Sequence, residues 1–375
     1  MAHVCVWPRL CVYMYKYVFS PIHGVHAKSP LRCVCLRMSC CHHGEECHSD
    51  DDVDIEEMNH FNEIVNSFKT YSQDCCCCTT EYISTNAKFL NAIVENSCGM
   101  FGGPVVPPVC TPTAERNISK VRSTLKQFVR EWSVEGAIER RICFERILQG
   151  LRTWLPLDGS PLFVLCPGSG LGRLPYEICR AGYDCQGNEF SYHMLLGAHY
   201  VLNTLQQKCV IYPYILNNSN LRTNHVQSVE IPDVFPSNTS GQMSMCAGEF
   251  VEVYEKQGVG IADGIVTCFF IDTAKNILLY IRTIANAVKT GRVWINFGPL
   301  LFHYAEQNDQ ISIELSWEEI RELILEYFDF LEEETNVKCV YSANAESLQQ
   351  TVYECIYFAA KRNNVLVDGY SNPVF

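Results

Sequence analysis

Gly168, Gly170 and Gly172 follow the apolar run "LFVLCP" and open the helical pattern "RLPYEICRAG", and Glu189 closes the next strand-like segment, "CQGNE". Glycines at a strand-to-helix turn let the backbone approach a bound cofactor more closely than any Cβ would permit. A dinucleotide turn needs G-x-G-x-x-G, with the pyrophosphate on the helix N-terminus. Here the spacing is G-x-G-x-G, and Arg173 stands at the third glycine position of the dinucleotide pattern. The glycines therefore suit a cofactor without a pyrophosphate, and an acid at Glu189 could take both hydroxyls of its ribose. The plainer alternative is a tight turn followed by a solvated strand end. The ordered set of strand, glycines, helix and acid favours the cofactor.

Two further groups sit where ligands of open α/β sheets bind, beyond the carboxyl ends of strands. Asp272 ends the expected strand "GIVTCFFID", and His303 follows "WINFGPLLF". An Asp there is commonly an N-cap for the next helix, and a lone His is more often structural than catalytic. Gln127 and Arg130, one turn apart in "QFVREWS", can share one helix face.

The elements that must hold these groups are legible in outline. Residues 1–53 lack periodicity and are rich in Cys and His; the cluster Cys40–His48 and the run Cys75–Cys78 match no zinc-site spacing. Residues 54–158 read as a helical segment. Ile55, Met58, Phe61, Ile64, Val65 and Phe68 recur at helical spacing, and Val121, Leu125, Phe128 and Trp132 mark a second helix. A loop carrying Gly102, Gly103, Pro104, Pro107 and Pro108 separates them. From 159 to 375 strands and helices alternate, the signature of a parallel α/β sheet. Ser316 and Glu319 form a capping-box pattern, and 210–247 is long enough for an insertion or lid.

Composition narrows the partners. The 375 residues carry a formal net charge of −13, which argues against a nucleic-acid surface. Hydrophobic residues at 47% and charged residues at 19% are ordinary for a globular chain. The opening "VCVWPRLCVYMYKYVF" is interrupted by Pro8, Arg9 and Lys16 short of the ~20 apolar residues of a membrane span. The 22 cysteines include Cys166 and Cys268 inside buried-strand patterns, which points to a reducing, cytoplasmic setting, with the nucleus also open. A homodimer is left open.

The glycine spacing after an apolar strand is the pattern of S-adenosylmethionine-dependent methyltransferases. "PGSGLGRLPYEICRAGYDCQGNEFSYHMLL", "TCFFIDTAKNILLYI", "VWINFGPLLFHY" and "SIELSWEEI" together closely resemble the carnosine N-methyltransferase family, as do "YPYI" and "IPDVFP" in the insertion. The similarity runs from about 54 to 362. It implies a Rossmann-like class I methyltransferase sheet with S-adenosyl-L-methionine as cofactor. It also implies methyl transfer to a ring nitrogen of carnosine, a small imidazole dipeptide, giving anserine.

Carried over by motif, Asp272, His303, Tyr341 and Tyr353 would contact substrate. Gln127, Arg130, Gly168, Gly170, Glu189, Glu249, Phe250 and Cys268 would contact the cofactor. The family usually has Asp at Glu249, Tyr at Thr351 and His at Lys275. No metal is implied. A histidine methyltransferase of longer peptides and a catalytically inactive interaction protein are the alternatives; a nicotinamide oxidoreductase is disfavoured by the glycine spacing.

Overall fold

The computed structural model describes residues 50–71, 80–97, 115–217, 219–222, 226–237, 239–255, 259–305 and 311–367. Cys40–His48, Cys75–Cys78 and the loop with Gly102 and Pro108 lie outside them. Among the described residues nine strands follow in chain order: β1 Phe163–Pro167, β2 Asp184–Glu189, β3 Cys209–Ile211, β4 Val229–Ile231, β5 Met243–Ala247, β6 Ala262–Cys268, β7 Val288–Gly298, β8 Phe328–Val340 and β9 Val352–Arg362. Seven of them form one sheet in the order β5-β2-β1-β6-β7-β9-β8.

Five neighbours run parallel, joined through helical crossovers. All seven residues of β6 are buried, as a strand covered on both faces requires. The sheet turns antiparallel at one edge, where β9 pairs antiparallel with both β7 and β8. The connection from β8 to β9 contains no helix, and a connection without a crossover returns the chain antiparallel.

Among the described residues four helices precede the sheet: Asp50–Thr70, Thr80–Ser97, Glu115–Trp132 and Ala137–Trp154. Val121, Leu125, Phe128 and Trp132 form the buried face of the third, as their spacing predicts. They share one apolar cluster with Phe68, Leu90, Ile93 and Leu196. The second and fourth helices are not anticipated by the sequence reading. Ala137–Trp154 buries Cys143, Phe144, Ile147 and Leu151, yet also Glu139 and Arg140, two charges that obscure its apolar face in sequence.

The stretch expected as an insertion, 210–247, overlaps both ends of regular structure. β5 belongs to the main sheet, and β3 and β4 form a separate antiparallel pair. Ile211, Ile215, Val229 and Ile231 pack into the cluster of the N-terminal helices. Asp233 ties this stretch down, accepting from Arg140 Nη2 at 2.6 Å and Arg173 Nη1 at 2.6 Å. That explains Arg173 at the position where a dinucleotide turn has glycine.

The helix before β7 is Ile277–Ala287, and β7 follows it directly at Val288. Its N-cap is Asn276, whose side chain accepts from the amides of Leu278 and Leu279. The Ser316 capping box is present, with both reciprocal bonds to Glu319.

Candidate active site

The carboxyl ends of β1, β2, β5, β6 and β7 share one edge of the sheet. The chain leaves β1 for β2 on one side and reaches β6 on the other only after β5, so a crevice opens between β1 and β6. Gly168 and Cys268 stand at its two lips. Gly168 has φ 69°, and a Cβ there would meet the Phe270 ring at 2.4 Å. At Gly170, with φ 55°, a Cβ would meet Glu131 Oε1 at 2.5 Å. Neither position accepts a side chain without displacement.

Glu189, at the end of β2, holds this turn in place. Its Oε2 accepts from Gly170 N at 2.8 Å, and its Oε1 accepts from Phe190 N at 2.9 Å and Ser191 N at 2.8 Å. Burial pushes its carboxyl up to about 6, against the opposing pull of these three amides. Below that pH the group is protonated and loses acceptor capacity both for the turn and for ribose hydroxyls. Affinity for S-adenosylhomocysteine is expected to be full near pH 8 and to fall as pH drops through about 6. Glu189→Ala should remove that dependence and weaken binding by about 1.5–3 kcal/mol at pH 8. Titration calorimetry at several pH values checks both, and a flat profile in the wild type would sink the assignment.

Gln127 and Arg130 do share one face, and both line a small cavity with Glu131, Gly168, Ser169 and Cys268. Glu131 is a residue that sequence reasoning missed. It is buried, accepting from Gln127 Nε2 at 2.6 Å, Leu171 N at 3.1 Å and Arg173 N at 3.0 Å. It thus caps the helix that leaves the glycine turn. Its only sequence signal is its place four residues after Gln127.

Arg130 is buried. Its Nε donates to Glu139, its guanidinium lies 4.8 Å from the Phe269 ring and 4.9 Å from the Tyr341 ring, and its Nη2 has no partner among the described residues. Contact with the Cys143 thiol, together with burial, holds the Cys268 thiol well above its usual range. Cys268 is therefore a neutral floor to the cavity rather than a nucleophile.

Glu249 and Phe250 sit just beyond β5, whose Ala247 pairs with Glu189. Glu249 caps the helix Phe250–Tyr254, accepting from Glu252 N at 2.9 Å. Phe250 meets Phe270 edge-on at 5.4 Å, and Phe270 in turn stacks on Tyr280 at 4.8 Å. Tyr280 was also missed. Its hydroxyl donates to Glu249 Oε1 at 3.4 Å, and its place in the helical pattern "ILLYIRT" gives no local sign of that bond.

A second group gathers around Phe269, whose ring neighbours Tyr341 and Tyr353. β6 ends at Cys268, not at Asp272 as expected, because Phe269 adopts φ 53° and breaks the strand. Asp272 falls on the following 3₁₀ turn, Ile271–Thr273, and the helix cap it could have been is Asn276. It is 2% exposed. Its Oδ2 accepts from Leu301 N at 2.9 Å, while Oδ1 has no partner among the described residues. Burial raises its pKa; the Leu301 amide and the nearby His303 oppose the shift.

His303 donates its backbone N–H to the Asp272 carbonyl at 2.9 Å and presents an exposed side chain. Tyr341 and Tyr353 face each other at 5.9 Å, and Phe269 lies 4.9 Å from the first of them. The Asp272 charge acts on both phenols. Thr351 contributes only its carbonyl, accepting from Tyr341 N at 3.0 Å. Lys275 lies 5.1 Å from the Tyr304 ring.

Comparison with known proteins decides between families that this geometry alone would admit. A model of the carnosine N-methyltransferase family matches residues 109–364. The chain belongs to that family. It is 38% identical to the carnosine N-methyltransferase of Mus musculus over 294 residues, covering 75% of this chain and 73% of the mouse protein. It is also 38% identical to that of Schizosaccharomyces pombe over 265 residues, covering 65% and 71% respectively. The N-methyltransferase NodS from Bradyrhizobium japonicum, solved with S-adenosyl-L-homocysteine, is 12% identical with a TM-score of 0.37, covering 65% of this chain and 99% of NodS.

As a member of the family, the chain is an S-adenosylmethionine-dependent methyltransferase with a Rossmann-like sheet. The residues present fit that cofactor. Arg130 Nη2, orphaned in a cavity, suits the carboxylate of the methionine part, since a buried donor without an acceptor is costly. Gly168, without a Cβ, lets the Phe270 ring close on the glycine turn. Among the described residues no helix is long and apolar enough to cross a membrane.

Proposed function

We propose that this chain transfers methyl from S-adenosylmethionine to an imidazole nitrogen of carnosine, giving anserine, at the crevice between Gly168 and Asp272. The observation that carries the reading is the free Oδ1 of Asp272, buried beside His303, Tyr341 and Tyr353. A neutral imidazole has one bare nitrogen and one N–H. The attacking nitrogen must be bare, so the proton must sit on the other, and an acceptor there enforces that tautomer. A carboxylate oxygen with no partner among the described residues is such an acceptor.

S-adenosylmethionine supplies an electrophilic methyl on a sulfonium. The protein aligns the ring with it and excludes water. As the nitrogen is methylated the ring becomes cationic, and the Asp272 charge stabilises it most in the transition state. His303, exposed at the rim, supports the ring from the second side. Tyr341 and Tyr353 offer the aromatic faces that favour a cation. Gln127, Arg130, Gly168, Gly170, Glu189, Glu249, Phe250 and Cys268 hold the cofactor. The thiols of Cys143, Cys166, Cys268, Cys339 and Cys355, buried and free, support a reducing cytoplasmic setting.

The test is incubation with labelled S-adenosylmethionine and a panel of imidazole compounds, followed by mass spectrometry. The methyl is expected on the ring of carnosine. Methyl on the terminal amine would refute the mechanism, and turnover only with longer histidine peptides would replace the substrate. Calorimetry should give binding of S-adenosylhomocysteine and none of NAD.

A further inference from the structure

One buried carboxylate joins the two halves of the crevice. Glu139 lies in the first turn of the helix Ala137–Trp154 and is 3% exposed. One of its oxygens accepts from Arg130 Nε; the other accepts from the backbone N–H of Ser342 at 2.8 Å. Ser342 has φ 49°, a left-handed conformation that a non-glycine residue keeps only when its surroundings hold it there. Its neighbour Tyr341 places its ring 4.9 Å from the Arg130 guanidinium. Ser342 and Tyr341 open the connection from β8 to β9, whose later part is pinned separately by Leu348 N donating to the Asn220 carbonyl at 2.8 Å.

We propose that Glu139 is a positioning residue that transmits cofactor binding at Arg130 to the loop bearing Tyr341. The catalytic consequence rests on the substrate assigned above; the transmission itself does not. Arg130 has one nitrogen committed to Glu139 and one, Nη2, without a partner among the described residues. An anion on Nη2 fixes the plane of the guanidinium, because its donors form a rigid fork. With that plane fixed, the Nε bond to Glu139 and the stack on Tyr341 are fixed as well. Glu139 then holds the Ser342 amide, and the left-handed turn that aims Tyr341 stays closed. The methionine carboxylate of the cofactor therefore organises the substrate wall through Arg130 and Glu139. An ion pair that served the fold alone would hold Ser342 equally with or without cofactor.

The test is amide hydrogen exchange on the full chain, read at the peptide containing Ser342. In the wild type, saturating S-adenosylhomocysteine should slow exchange there by about 5-fold or more, the lower end of ordinary allosteric coupling. Saturating adenosine, which lacks the amino-acid part, should not. In Glu139→Gln the effect of S-adenosylhomocysteine at Ser342 should disappear while β9 keeps its protection. Equal protection by adenosine in the wild type overturns the inference, and this arm decides even if the variant does not fold. Persistent protection in Glu139→Gln overturns it too. A wild type that passes the exchange test yet does not methylate carnosine refutes the substrate reading and leaves the role of Glu139 standing.

Discussion

Asp272→Asn should lower kcat by roughly 100-fold or more and raise the carnosine KM much less, the signature of an interaction made mainly in the transition state. The substitution keeps the size of the side chain and can keep the bond from Leu301 N. It removes the negative charge, and the amide can turn a donor toward the ring, which would favour the wrong tautomer. Burial raises the Asp272 pKa, so its carboxylate form is reached at higher pH than for a free aspartate. The carboxylate is the form that accepts the ring proton. Turnover should therefore decline as pH falls through that raised value, and in Asp272→Asn only the acidic limb set by protonation of the substrate imidazole itself should remain. His303→Ala should also reduce turnover while leaving S-adenosylhomocysteine affinity nearly intact. Steady-state kinetics against pH checks the set; wild-type turnover in Asp272→Asn would end the assignment.

Gly168→Ala is expected to cost the cofactor site at least tenfold in S-adenosylhomocysteine affinity. At φ 69° an alanine pays about 1–2 kcal/mol for left-handed backbone. Its Cβ would also stand 2.4 Å from Phe270 Cδ2, so that ring must move. Phe270 is stacked on Tyr280 and packed against Phe250, and its displacement spreads into the side chains expected around the adenine. Gly159→Ala is the control. Its φ of 96° brings similar strain, but nothing lies within 4 Å of an added Cβ. It should lower thermal stability without changing the dissociation constant. Equal losses of affinity in the two variants, measured by calorimetry, would show that strain alone accounts for the effect.

Short-range signals made part of this architecture legible in the chain itself. The apolar run before Gly168, the alternating glycines, the acid at Glu189 and the Ser316–Glu319 pair all act within one strand, one turn or one helical cap. So does the face of Val121, Leu125, Phe128 and Trp132, because helical spacing alone puts them on one side. Groups whose meaning depends on distant partners were not legible. Glu139 reads as an ordinary helix-surface acid until Ser342, 203 residues away, donates to it. Glu131 becomes a cap only when the glycine turn is folded against its helix. Phe269 gives no local sign of left-handed backbone, yet its turn ends β6 early and moves Asp272 off the strand. β8 and β9 became an antiparallel edge through pairing that local periodicity does not encode. Local propensity and spacing act over a few residues, whereas burial of a charge and reversal of a strand are decided by what the rest of the chain places beside them.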